Sequence, residues 1–242
     1  MTDPKPQPRV LTAILTYNEA DKLRNLVKRF PAGRNYDLLF IDDGSSDNSP
    51  AVAESTGSSV IRHERNLGVG AGIRTAIDYC RENHYDIIVI MAGNGKMLPE
   101  EIPRLLKPIL NDRADYVQGS RYLKGGESLN LPLGRHLGIK AFTLIASILL
   151  GRRHTDVTCG FRAYRVAIAD DPAIDITQDW LGRYEMEYYL HYKAVKCGWR
   201  VTEAPVSMVY PKEGRDYSKI KPFVGWWSML RPWLYLTLRL KK

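Results

Sequence analysis

The chain has 242 residues, 44% hydrophobic and 26% charged, a balance ordinary for one globular domain or one domain with an appended substrate region. No linker-like composition, internal repeat or low-complexity run interrupts it. Its 35 Lys/Arg against 27 Asp/Glu leave a net charge of +8, which favours anionic partners: nucleoside diphosphates, lipid phosphates, an anionic membrane or nucleic acid.

The first eight residues, MTDPKPQP, read as a disordered tail and carry no basic stretch followed by an apolar one. Cys80, Cys159 and Cys197 show no close pairing and read as reduced thiols without a zinc site. The expected location is the cytoplasm, at the inner face of a membrane.

Val10 to Thr16 is an apolar run of strand length. Asn18 precedes a helical pattern with Leu23, Leu26, Val27 and Phe30 on one face. A second strand, Leu38 to Ile41, stops at Asp42-Asp43-Gly44, and Ser45 to Asn48 can cap a helix through Thr56. Val60-Ile61 is a third strand, Gly70 to Arg81 a helix, and Asp86 to Met91 a fourth strand. Pro99 to Leu110 follows as a helix, since Pro99 and Pro103 sit near its start. Tyr116 to Gly119 is a fifth strand.

Strand and helix thus alternate, and the strands are solid apolar runs rather than alternating ones. This predicts a mainly parallel, doubly wound α/β sheet buried on both faces. Ligands of such sheets bind beyond the carboxyl ends of the strands, where TYNE, DDGSSD, AGNGK and GSRY all fall.

The second half is less regular. Leu133 to Leu150 reads as a helix whose apolar end, AFTLIASILL, is too short to span a bilayer of ~30 Å. Thr158 to Val166 and Arg200 to Pro205 read as strands, and Tyr184 to Cys197 as a helix. From Pro211 onwards eight Lys/Arg face two acids. There Trp226, Trp227, Trp233 and Tyr235 lie among Lys221, Arg231, Arg239, Lys241 and Lys242. This reads as an amphipathic segment for a lipid headgroup layer, or else as a helix packed on the core or at a dimer contact.

Asp42-Asp43-Gly44-Ser45-Ser46-Asp47 can accept hydrogen bonds from a base or ribose, or can cap a helix. Asn66 to Gly72 (NLGVGAG) opens a helix whose start can attract a phosphate, or whose glycines can pack against a neighbour.

These pieces, in this order, resemble the family 2 glycosyltransferases, and within them the polyprenyl-phosphate (dolichol-phosphate) mannosyl- and glucosyltransferases. Leu15-Thr16-Tyr17-Asn18-Glu19 is similar to the family's P-T-Y-N-E. Ile41 to Ser49 is similar to I-D-D-G-S-x-D-x-[ST], and Asn66 to Ala71 to N-x-G-x-G-A. Gly119 to Tyr122 repeats G-S-R-Y, Asp156 to Arg162 is similar to D-x-x-S-G-F-R, and Ser218-Lys219 to a late S-K.

The resemblance implies a GT-A, Rossmann-like fold. Residues 1–125 would form the nucleotide-sugar-binding half and 126–220 the acceptor half of one domain, with 221–242 a basic aromatic tail. It places Tyr17, Glu19 and Asp43 against the donor's base and ribose. Leu15, Asp42, Asn66, Gly70, Gly93 and Asn94 fall in the same donor site. Arg121 would face phosphates, and Arg135, Arg162 and Lys219 the acceptor. The implied partners are a UDP- or GDP-sugar and an anionic lipid-phosphate or glycan acceptor. A homo-oligomer remains open, and nucleic acid is not expected because no nucleic-acid module is recognisable.

One departure is large. Where the family carries D-x-D, whose carboxylates hold Mg²⁺ or Mn²⁺ on the donor diphosphate, this chain has Ala92 and Asn94, with Lys96 beside them. The expectation is that no metal is needed and that Lys96, with Arg121, supplies the positive charge. The alternative is a metal held by the diphosphate, Asn94 and Asp43. A hydroxyl acceptor needs a general base whereas a phosphate acceptor does not. Glu185 and Glu187 are the base candidates, with Asp179 a further one; the spacing of the two glutamates lets at most one face the site, and the alternative is an exposed acidic first turn favoured by the helix dipole. Two other readings stay open: transfer to a soluble small molecule, and a non-catalytic sugar-nucleotide binder.

Overall fold

The computed structural model describes residues 7–211 and 224–241. The expected strands are β1 (Val10–Thr16), β2 (Asp37–Asp42), β3 (Ser59–Arg62), β4 (Ile87–Ala92) and β5 (Tyr116–Ser120). The helices between them are α1 (Ala20–Val27), α2 (Ser49–Glu54), α3 (Val69–Glu82) and α4 (Ile102–Leu110). Beyond them lie β6 (Glu127–Leu129), α5 (Leu133–Leu150), β7 (Arg162–Arg165), α6 (Glu185–Lys196), β8 (Val201–Pro205), β9 (Ser207–Val209) and α7 (Val224–Thr237).

The main sheet has seven strands in the order β3-β2-β1-β4-β7-β5-β8. All its pairings are parallel except those of β7, which runs antiparallel between β4 and β5. The apolar runs are buried on both faces because helices cover both. Leu11 and Ala13 of β1 join one core with Ile73 and Ile77 of α3 and Tyr189 of α6. Val10 and Ile14 join the other with Leu23 of α1, Val52 of α2 and Leu105 of α4. The parallel strands point their carboxyl ends the same way and gather the polar loops on one edge.

Three differences from the sequence reading have local causes. The helix that Ser45 to Asn48 were expected to cap starts at Ser49 with Asn48 as its N-cap, but it ends at Glu54 rather than Thr56, where the Ser55 and Thr56 hydroxyls donate to the carbonyls of Val52 and Ala53. The strand expected over 158–166 shrinks to Arg162–Arg165, because Thr158 is engaged by Asp156 and Arg121. The third concerns α5, which is one helix of 18 residues with mean hydropathy 1.4. By length and composition alone it suffices to cross a membrane, contrary to the expectation from its ten-residue apolar end, yet it lies along the body of the protein. Ile139, Thr143, Ala146 and Leu150 form its buried stripe, and only 22% of it is buried.

Helix α7 packs its inner face on α6. Trp233 is buried against Tyr188, Tyr192 and His191, and Leu236 lies in the same core. Trp227, Leu230, Leu234 and Leu238 remain exposed on the outside. The tail therefore combines a core-packed helix with an outward apolar face. Lys219, Lys221 and Lys242, cited from the sequence, lie outside the described residues.

Beneath α7 two buried histidines lie side by side. His154 and His191 are buried, their rings edge to face at 4.8 Å, and all four ring nitrogens lack a hydrogen-bond partner. Burial, reinforced by the nearby Arg152 guanidinium, pushes His154 down to about 4 and His191 well below its ordinary value. Both are neutral in the folded protein, whereas the unfolded chain takes up protons below a pH of about 6.5. Stability should therefore hold above that pH and fall on acidification towards about 4, by up to about 1.4 kcal/mol per pH unit for each histidine. Urea midpoints across pH 7.5 to 5 should trace this slope, and His191→Phe should flatten it.

Candidate active site

The donor side is built from two interlaced loops. Asn18, with φ of 49°, turns the chain after β1 in the left-handed region that asparagine tolerates. Its Oδ1 accepts from Ser46 N at 2.9 Å, while its own N–H donates to Ser45 Oγ at 2.9 Å. Glu19 N donates to Ser49 Oγ and Ala20 N to Asp47 Oδ2. The T-Y-N-E and D-D-G-S-S-D segments thus fix each other's shape. Tyr17 is left at the lip, about a third exposed, and Glu19 pairs with Lys22 at 2.6 Å.

Asp42 and Asp43 separate in role. Asp42 is fully buried, and one carboxylate oxygen accepts from Ser45 N and faces Arg62. Asp43 is engaged from several sides. Leu67 N and Gly68 N donate to it at 2.9 and 2.8 Å, and His63 Nδ1 lies 2.8 Å away with its Nε2 on Thr75. Asp43 therefore anchors the N-L-G turn, and Asn66 is left exposed beside it.

The glycines that follow do not cradle an open phosphate site. A Cβ on Gly70 would stand 2.0 Å from Leu181 O, and one on Gly68 2.5 Å from Gly182 O. Gly182 O accepts from Gly70 N and Ala71 N, so the backbone around 182 occupies the start of α3. Packing, rather than anion binding, explains Gly70, and its expected donor contact is corrected accordingly. Leu15 packs its side chain on Gly72 while its carbonyl accepts from Gly93 N at 2.8 Å. Gly93 has no room for a side chain, since a Cβ would meet Thr16 at 2.3 Å.

The β4 end lacks the chemistry of a divalent-metal site. Mg²⁺ and Mn²⁺ take carboxylate, carbonyl and water oxygens. Ala92 offers none, and Asn94 Oδ1 already accepts from Lys96 N within its own turn. Among the described residues no group of three His, Cys, Asp or Glu side chains could hold a metal. Ala92 and Asn94 thus leave the end of β4 without the paired carboxylates of the family motif.

Cations gather instead around Tyr210. Lys96 is buried, with Nζ 5.6 Å from the Tyr210 ring centroid, and the Arg135 guanidinium lies 5.5 Å from the same ring. Arg121 Nη1 donates to the Tyr210 hydroxyl at 2.6 Å. The cause is backbone pairing: Val209 N donates to Lys96 O, and Met97 bridges Met208, so β9 delivers Tyr210 beside the lysine. The sequence reading passed over Tyr210, because β6 and β9 are three-residue strands without a recognisable pattern.

Arg121 is a buried cation locked in place. Its Nε and Nη2 engage both oxygens of Asp156 at 2.6 and 2.9 Å, and Nη2 also donates to Thr158 Oγ1. The Asp156 carboxylate holds its pKa above the ordinary value despite burial. Four side-chain hydrogen bonds hold the planar guanidinium in one orientation.

Three expected residues are placed away from ligand contact or beyond view. Arg162 is interior: it donates to Tyr116 OH, Glu187 O and Cys159 O, so it braces β7 against α6 and cannot meet an acceptor. Glu185 is buried and ion-paired with Arg231 of α7 at 2.5 Å, which removes it as a general base. Lys219 lies outside the described residues. Glu187 points the other way. It sits 3.5 Å from Arg162, with Oε1 close to Gly160, which also lies against Met97, the residue after Lys96.

The mostly parallel seven-stranded sheet, with its polar loops gathered at the strand ends, is a GT-A fold. Residues 12–172 match the family model described as glycosyl transferase family 2, and the chain belongs to that family. It is 33% identical over 214 residues to an undecaprenyl-phosphate mannosyltransferase of Micrococcus luteus, covering 86% of each chain. It is 31% identical over 210 residues to a polyprenol monophosphomannose synthase of Mycolicibacterium smegmatis, covering 84% of this chain and 78% of that one. Glucosyl-3-phosphoglycerate synthase from Mycobacterium tuberculosis, solved with Mn²⁺, UDP and glucosyl-3-phosphoglycerate, superposes with a TM-score of 0.68 at 16% identity. That match covers 98% of this chain and 82% of the other, and it concerns the fold alone. The chain is a glycosyltransferase.

Removing one member of the buried pair should be costly. Asp156→Ala leaves Arg121 charged and unpaired and should lower stability by about 3–5 kcal/mol, read as a fall in the urea midpoint. Gly70→Val forces its side chain into the Leu181 carbonyl and should cost about 1–3 kcal/mol or more by the same measurement.

Proposed function

We propose that this chain is an inverting glycosyltransferase that moves a sugar from a UDP- or GDP-sugar to a polyprenyl phosphate or membrane-proximal glycan at the inner face of a membrane. The observation that carries this reading is the cationic group around Tyr210, set beside a β4 end whose metal carboxylates are replaced by Ala92 and Asn94. The relatives named for undecaprenyl phosphate and polyprenol monophosphomannose support the acceptor class.

In this reading Tyr17, Glu19 and the Asp43 loop hold the nucleoside end of the donor. An acceptor oxygen attacks the anomeric carbon, and the bond from that carbon to the diphosphate oxygen breaks with its electron pair on the leaving group. Lys96 stabilises the charge that develops there, and Arg121 sets the position of the Tyr210 hydroxyl. A fixed cation in a water-poor site does this without reorganising. Arg135, partly buried on the first turn of α5, serves the anionic acceptor. A phosphate acceptor arrives ionised and needs no base. If the acceptor is a hydroxyl, Glu187 is the remaining base candidate, and its ion pair with Arg162 would have to open for it to take the proton.

Initial rates with nucleotide sugars and a short polyprenyl phosphate test this directly. Lys96→Ala should lower kcat about 10²- to 10³-fold while leaving the stabilisation of the fold by UDP or GDP in place. Turnover should persist in EDTA. Complete loss in EDTA, restored by Mn²⁺, would overturn the lysine's role.

A further inference from the structure

Helix α5 carries an outer face that stays exposed among the described residues. Leu133, Leu137, Leu144, Ile145 and Ile148 are all exposed along it. From Ser128 to Thr155 the sequence contains no Asp or Glu, but it contains Arg135, Lys140, Arg152 and Arg153. Neighbouring α7 adds exposed Trp227, Leu230 and Leu234, and it too lacks acids.

At the far end of α5 this face borders a cavity of about 650 Å³. Leu144 and Ile148 form its apolar wall, and Lys140, Arg152 and Arg153 its charged one. Ser147 and Thr155 add hydroxyls. Lys140 sits 3.8 Å from the centroid of the Tyr122 ring, which steadies it at the rim. Arg152 is oriented by donating to Val201 O. Arg153 is exposed, lines the cavity and makes no hydrogen bond or ion pair among the described residues.

We propose that this cavity is a headgroup site for an anionic phospholipid, with the outer face of α5 lying in the plane of the bilayer surface. Apolar side chains enter the acyl boundary while cations beside them meet the phosphate layer, the arrangement of an interfacial helix. A second copy of the chain fits less well, because two such surfaces would bring their cations together. Tyr122, which lines the cavity, directly follows Arg121. A lipid held there would orient the catalytic cleft at the membrane surface, where a polyprenyl phosphate presents its headgroup. The site thus deepens the lipid-acceptor reading, but it is measured independently of transfer.

The test is sedimentation with sucrose-loaded vesicles of phosphatidylcholine alone or with phosphatidylglycerol, without sugar donor or acceptor. The full chain should bind the phosphatidylglycerol vesicles more tightly. Lys140→Gln and Arg153→Gln should each weaken that binding about fivefold, and the pair about 25-fold. The double variant should keep the wild-type KM and kcat on a short, detergent-dispersed polyprenyl phosphate. Equal binding to both vesicle types would overturn the proposal, as would wild-type binding by the double variant. A raised KM for the dispersed acceptor would overturn it as well, by assigning the cavity to the acceptor chain. Self-association that disappears with Leu144→Ser would assign the face to a second copy and equally defeat it. None of these failures bears on whether sugar transfer occurs.

Discussion

A guanidinium and a carboxylate, both nearly sealed from water, hold the catalytic half together. Asp156 grips Arg121 through two parallel hydrogen bonds, and the remaining donors reach Thr158 and Tyr210. The charges would be expensive apart, so the loop after β5, the segment before β7 and the residue beyond β9 are bound to a common geometry. Glu203 reinforces this from the edge strand by accepting from Thr155 N and Asp156 N. Glu101 does the same for β9 by accepting from Ser207 N. These carboxylates fix loops, while the cations gather around Tyr210.

The donor half follows a different economy. Its loops are fixed largely by short side chains that bond to neighbouring backbone, beside the pairs of Glu19 with Lys22 and Asp42 with Arg62. Asn18, Ser45, Asp47 and Ser49 satisfy N–H groups that would otherwise face water at the strand ends.

Much of this was legible in the sequence. Solid apolar runs alternating with helical patterns fixed the layered sheet, because burial on both faces leaves no room for polar alternation. Clusters such as T-Y-N-E and D-D-G-S-S-D were recognisable as strand-end loops. Which side each residue served was harder to read. Gly70 reads as a phosphate contact until the backbone of residue 182 is seen against it, and residues over a hundred positions apart leave no local pattern. Arg162 and Glu185 suffer the same ambiguity: a charged residue looks exposed until its partner is placed. The antiparallel insertion of β7 and the β6–β9 pair were also invisible, since short strands take their form from neighbours.

The bond between Glu185 and Arg231 restricts how the C-terminal helix can behave. Lifting α7 away would strand a buried carboxylate and uncover the Trp233 indole at the same time. The first of these penalties alone is about 3–5 kcal/mol. Glu185 also accepts from Arg183 N, one residue from the carbonyl that closes the start of α3. The helix is therefore a fixed buttress rather than a moving flap, and whatever meets its outer leucines must do so without prising it loose.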